Sequence, residues 1–106
     1  MTMTTKKLPD NLHLDTLAVR VAVDKSQYGE NAEALYLTSS FVQPDAATAA
    51  RRFANEEAGY TYSRFSNPTV TSMEQRLAAL EGTEACIGTA SGMAATTLMC
   101  MGLLKA

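Results

Sequence analysis

From Ala85 to Leu104 the chain carries 20 residues without a charge. A stretch of that length needs cover, either from a bilayer or from the interior of a protein. As one helix it is about long enough to span a membrane. Its internal pattern argues against that use. Thr89, Ser91, Thr96, Thr97 and three glycines interrupt it, and the apolar density collects after Met93. A buried strand–loop–helix unit accounts for this better: "EACIGTA" as a short buried strand, and "SGMAATTLMCMGLL" turning into an apolar helix. Such a unit has to be packed by other elements. With 106 residues, the chain amounts to at most one small domain.

The best-defined helix lies just upstream. Asn67 is a strong N-cap residue, and Pro68 at the first helical position gives up no needed hydrogen bond. Val70, Met73, Leu77 and Leu80 then mark one face at spacings of three and four. Gly82 stands where a left-handed residue closes a helix. Further elements are weaker. Leu14, Leu17, Ala18 and Val21 predict a short amphipathic helix within 12–23, and Asp24–Asn31 reads as loop. "ALYLTSSFV" (34–42) reads as extended, and Asp45 caps a helix "AATAARRFAN" after Pro44. Gly59–Ser66 also reads as extended, and residues 1–11 read as a disordered tail.

Composition excludes several classes. A formal net charge of -2 gives no basic face for nucleic acid. The opening "MTMTTKKLPD" has lysines but no apolar stretch after them, so a secretory signal is not expected and a cytoplasmic protein is. Cys86 and Cys100 are 14 apart, which is no metal spacing, and they are expected to be buried free thiols. His13 is the only histidine and has no partners for a metal site. Met93, Met99 and Met101 are expected to fill a core.

Two short motifs carry chemistry. In "YTYSRFSNPT" (60–69), Tyr62 and Arg64 lie two apart. In an extended chain they point to the same side, so a hydroxyl and a guanidinium can converge on one anion. The guanidinium fork suits bidentate contact with phosphate. Pairing of Arg64 with Glu56 or Glu57 is the alternative. In "TASGMAA" (89–95), Ser91 can cap the helix and Gly92 lets an anion approach the backbone. The N–H groups of Gly92 and Met93 are first-turn donors, at the helix end that favours negative charge. A plainly capped helix is the alternative there. The stretch matches neither of the common nucleotide-binding glycine motifs.

"EALYLTSSFV", "YTYSRFSNPT" and "LAALEGTEACIGTASGMAA" together resemble the N-terminal portion of the Cys/Met-metabolism family of enzymes that use pyridoxal 5′-phosphate (PLP). "LHLDTLAVR" adds to the likeness, which runs from about Leu12 to Ala106. The resemblance implies an α/β fold, that of a fold type I, aspartate-aminotransferase-like transferase, with the chain ending early in the large domain. It implies an N-terminal arm over 12–66 and the start of the PLP-binding domain over 67–106. Tyr62 and Arg64 are then expected to hold the cofactor phosphate of a neighbouring subunit. Gly92 and Met93 are expected to hold that of their own. A homo-oligomer is implied, a tetramer of dimers with shared sites. The implied reaction is γ-replacement on an acyl-homoserine: succinate leaves O-succinylhomoserine, sulfide enters, and homocysteine forms. Acetyl and cystathionine-type substrates share these motifs and stay open, as does a non-enzymatic helical module that associates with membranes.

PLP enzymes of this kind also need a lysine that carries the cofactor. The chain has Lys6, Lys7, Lys25 and Lys105. Two lie in the expected tail, one in a polar loop and one beside the C-terminus. No catalytic residue is therefore expected in this chain. It reads as part of a longer enzyme, inactive alone and marginal in folding.

Overall fold

Three of the helices begin at the side chains that the sequence marks as caps. The computed structural model describes residues 11–23 and 25–104. In it the chain forms α1 (Leu14–Arg20), α2 (Ala46–Phe53), α3 (Pro68–Glu81) and α4 (Gly92–Leu103). Asp45 Oδ1 accepts from Thr48 N at 2.7 Å to start α2. Asn67 Oδ1 accepts from Thr69 N at 2.8 Å, with Pro68 at the first turn of α3. Ser91 Oγ accepts from Ala94 N at 3.1 Å to start α4. Gly82 ends α3 at φ 66°, a backbone conformation that costs a glycine nothing. The expected tail over 1–11 lies outside the described residues except for Asn11, as do Lys6, Lys7 and Lys105.

Helix α3 is the beam on which the other segments rest. α1 packs against it, the one helix–helix contact among the described residues. The Ser72 hydroxyl donates to Ala22 O, and Arg76 Nε donates to Val21 O at 3.2 Å. These contacts explain why α1 is shorter than its apolar pattern predicts. The carbonyls at Val21 and Ala22 turn toward α3, and Ala22 takes a left-handed φ of 58°. On the same helix, Arg76 Nη1 donates to Glu33 Oε1 at 2.7 Å. Further along, Glu74 Oε1 accepts from Gly88 N at 2.6 Å. A Cβ at Gly88 would stand 2.8 Å from Met73 Cε, so the absence of a side chain permits this close crossing.

Residues 34–42, expected to be extended, form no helix and meet Tyr62 through an isolated antiparallel bridge at Ser40. Two other expectations need correction. Residues 84–90 form no strand, and Ile87 is exposed. A strand of a parallel sheet requires neighbours, and none lies among the described residues. For the same reason α4 is exposed along its length. Cys100 is exposed, Cys86 is half-buried, and Met93, Met99 and Met101 fill no core here. Ala78 is the only buried apolar residue among those described; the other buried residues are Thr48, Asn67 and Ser72.

The Asp45 cap yields a prediction. Hydrogen bonds from the Thr48 backbone N–H and hydroxyl hold the Asp45 carboxyl below its ordinary pKa. A depressed folded pKa means that the cap contributes fully above the unfolded aspartate range. That contribution disappears as pH falls through the lower folded value. Acid titration followed by amide NMR should therefore show α2 loosening below about pH 4, the unfolded aspartate range. Asp45→Asn, which caps without titrating, should leave α2 insensitive over the same interval.

Candidate functional site

Tyr62 to Ser66 is a turn, not the extended segment expected from its sequence. Phe65 N and Ser66 N both donate to Tyr62 O, at 2.9 and 3.2 Å. The cause is a set of polar side chains that hold the segment. The Ser63 hydroxyl donates to Thr38 O, while Asn67 Nδ2 donates to Ser63 Oγ at 2.9 Å and to Tyr36 O at 3.0 Å. Tyr62 and Arg64 are nonetheless brought together. The Arg64 guanidinium carbon lies 5.1 Å from the centroid of the Tyr62 ring, in cation–π range. Phe65 meets the Tyr62 ring edge-on at 6.3 Å.

Arg64 pairs with no carboxylate among the described residues. The Glu57 oxygens are taken by Arg51 at 2.9 Å and Arg52 at 3.3 Å. Glu56 makes no described ion pair either. Arg64 instead lines an open groove of about 330 Å³, together with Phe41, Gln43, Phe53, Tyr62 and Phe65. It is the only charged residue in the lining. A cation without a counter-charge, beside a phenol and at the lip of an apolar groove, suits an anionic ligand group.

The groove wall is held by residues that sequence reasoning passed over. Gln43 Nε2 donates to Phe41 O at 2.8 Å and Tyr60 O at 3.0 Å, bridging the two chain segments. Arg52 Nη1 in turn donates to Gln43 Oε1 at 2.8 Å. The Phe41 and Tyr60 rings stack at 5.4 Å beside this bridge. No periodicity marks these residues. The usable signal was compositional, two adjacent arginines with Glu57 a few residues on.

The second candidate lies at the start of α4. Ser91 occupies the N–H groups of Ala94 and Ala95 with its hydroxyl and carbonyl oxygens. Gly92 N–H and Met93 N–H have no acceptor among the described residues. Nothing lies within 4 Å of the position a Gly92 Cβ would take, so the space beside the helix end is open. These two donors fit an anion in the way helix N-termini do. Among the described residues no α4 residue lines the Arg64 groove, and α4 packs on no other helix. Both places suit the phosphate of a cofactor on the chemistry of their donors.

The profile of the family described as "Cys/Met metabolism PLP-dependent enzyme" matches residues 15–106. The chain belongs to that family. It is 53% identical over 89 residues to an O-succinylhomoserine sulfhydrylase of Pseudomonas aeruginosa, a match that takes in 84% of this chain and 22% of the relative. It is 45% identical over 93 residues to an L-methionine gamma-lyase of Fusobacterium nucleatum subsp. polymorphum, covering 88% of this chain and 24% of the relative. Among solved structures, one named as a candidate O-acetylhomoserine (thiol)-lyase of Campylobacter jejuni superposes with a TM-score of 0.84 at 34% identity. That match covers 91% of this chain and 24% of the other, whose crystal holds N′-pyridoxyl-lysine-5′-monophosphate. The chain thus spans about a quarter of the length of the curated relatives it matches. Its family is PLP-dependent and acts on small molecules of cysteine and methionine metabolism. Its fold is that of the N-terminal region of an α/β, fold type I PLP-dependent transferase. No helix of the described residues is long and apolar enough to cross a membrane.

The groove wall can be tested through Gly59. A Cβ there would meet Arg52 Cζ at 2.6 Å, and Arg52 is tied to both Gln43 and Glu57. Gly59→Ala should displace the guanidinium and destabilise the protein by about 1–2 kcal/mol, as one or two hydrogen bonds are lost. In an Arg52→Ala background the same change should have no effect. Chemical denaturation of the four members of this double-mutant cycle measures the difference.

Proposed function

We propose that Tyr62 and Arg64 hold the phosphate of PLP in the active site of a partner subunit, and that Gly92 and Met93 hold that of their own. The observation that carries this reading is Arg64, stacked on Tyr62 and facing a groove with no counter-charge. That Gly92 and Met93 take no part in lining the Arg64 groove supports their serving a different cofactor. On this reading residues 12–66 form an arm that lies across the partner, and 67–106 begin the cofactor domain. The assembly would be a tetramer of shared-site dimers in the cytoplasm.

PLP, when bound, supplies an electron sink for chemistry on amino-acid substrates. The residues in this chain anchor and orient it. The guanidinium presents two parallel N–H donors to phosphate oxygens, and the Tyr62 hydroxyl adds a third. The first turn of α4 adds two backbone donors and a favourable dipole. The reaction proposed for the whole enzyme is γ-replacement on O-succinylhomoserine. Sulfide forms the new C–S bond as the C–O bond to succinate breaks, giving homocysteine. The similarity to O-succinylhomoserine sulfhydrylase supports this choice. A γ-lyase acting on methionine is the second reading, supported by the L-methionine gamma-lyase likeness. Assay of a full-length enzyme carrying this segment, with O-succinylhomoserine plus sulfide against O-acetylhomoserine and methionine, separates them. Homocysteine formation fastest from the succinyl ester is the expected result.

Arg64→Ala in that enzyme should weaken PLP retention about ten- to a hundredfold, the equivalent of about 1.5–3 kcal/mol for hydrogen bonds to a charged group. Arg64→Lys should recover only part, since an ammonium lacks the fork. Mixing Arg64→Ala subunits with subunits that lack the cofactor-carrying lysine tests the cross-subunit role. Activity should return, because a mixed dimer has one site with both residues intact. Absence of recovery would assign the arm to its own subunit.

A further inference from the structure

Ser63 sits between Tyr62 and Arg64, and its side chain is fixed at both ends. Its hydroxyl donates to Thr38 O and accepts from Asn67 Nδ2 at 2.9 Å. Asn67 is 6% exposed and uses every part of its carboxamide. Oδ1 accepts from Thr69 N at 2.8 Å, and the second Nδ2 hydrogen goes to Tyr36 O at 3.0 Å. Thr69 returns the contact by accepting from Tyr36 N at 2.9 Å. The backbone completes the frame: Ser63 N donates to Ser39 O at 2.9 Å and Phe41 N to Thr61 O at 3.1 Å. The turn that carries Tyr62 and Arg64 is thereby tied to the 36–41 segment and to the first turn of α3. Apolar burial contributes little to this region, because none of its large apolar side chains is buried.

We propose that Asn67, acting through Ser63, is a positioning residue that sets the Tyr62–Arg64 turn for phosphate. This rests on the cofactor role proposed above for Tyr62 and Arg64. The capping function of Asn67 needs only an acceptor at Oδ1. The positioning function needs the donor at Nδ2. Aspartate has the first and lacks the second: it would set a carboxylate oxygen against the Tyr36 carbonyl, and Ser63 would meet it only by turning its hydroxyl away from Thr38 O. Asn67→Asp therefore separates positioning from helix capping.

The test compares PLP with pyridoxal, which lacks the phosphate, by equilibrium dialysis against the apo form of a full-length enzyme carrying this segment. Arg64→Ala should lower affinity for PLP and leave pyridoxal unchanged. Asn67→Asp should reduce the preference for PLP over pyridoxal about tenfold, as expected for the loss of one hydrogen bond to a charged group. Adding Arg64→Ala to Asn67→Asp should then cost less than it does alone. Ser63→Ala, a smaller change at the other end of the same bond, should reproduce the loss and decides the matter should Asn67→Asp fail to fold. An unchanged preference in the folded Asn67→Asp protein overturns the proposal. So does an equal loss for both ligands, which would mark a purely structural residue. An unchanged preference in Arg64→Ala would instead overturn the phosphate role itself.

Discussion

The buried carboxamide of Asn67 is the junction at which helix, arm and turn meet. One side chain starts α3, holds the carbonyl of Tyr36 and fixes Ser63. In most domains the relative placement of such segments is set by apolar burial. Here Ala78 is the only buried apolar residue among those described, and the work falls to hydrogen bonds. Each bond contributes only about 1 kcal/mol net, but a buried donor left without a partner costs about 1–3 kcal/mol. The arrangement is thus defined more by the penalty for misplacing Asn67 than by the gain from placing it. That is a constraint on geometry, of the kind that the proposed grip on a tetrahedral anion would require.

The same logic runs along α3. Ser72 and Arg76 take carbonyls at the end of α1, Arg76 pairs with Glu33, and Glu74 takes the amide of Gly88. These are polar contacts made from one helix to three separate stretches of chain. Arg76 Nη2 is buried without a hydrogen-bond partner among the described residues, although the side chain as a whole is half-buried. By contrast the apolar residues of α4, including Leu98, Met101 and Leu103, lie at the surface. These polar contacts are made among the described residues, whereas the apolar face of α4 lies uncovered in a chain that spans about a quarter of the length of its relatives.

What was legible in the sequence follows this division. Asn67, Pro68 and Gly82 bracket α3, and Asp45 and Ser91 start α2 and α4, because capping depends on residues within a turn of each other. The donors at Gly92 and Met93 were legible for the same reason. The sequence expectation for Tyr62 and Arg64 is convergence on one anion from an extended chain; the structure brings them together as a cation–π pair on a turn. That turn is held by Thr38 and Tyr36, some 25 to 31 positions away in sequence, and no local rule reaches so far. The early end of α1 has the same long-range origin, in the contact of Arg76 with Val21. The expected strand over 84–90 rested on burial, which the described residues do not provide.

The two proposed anion-binding features therefore differ in how they are made. Gly92 and Met93 owe their free N–H groups to the start of a helix, and any sequence that caps α4 at Ser91 presents them. Their placement asks nothing of the rest of the chain. Tyr62 and Arg64 owe theirs to a frame gathered from Tyr36, Thr38, Ser63 and Asn67, with Gln43 and Arg52 behind it. A feature built from one helix end is suited to the subunit that contains the helix, where the fold itself supplies the position. A feature that must act on a cofactor held by another body needs its own rigid support, because that body does not restrain it through the chain. The density of polar contacts behind Arg64, in a segment with so little buried apolar surface, is consistent with the cross-subunit role proposed for it.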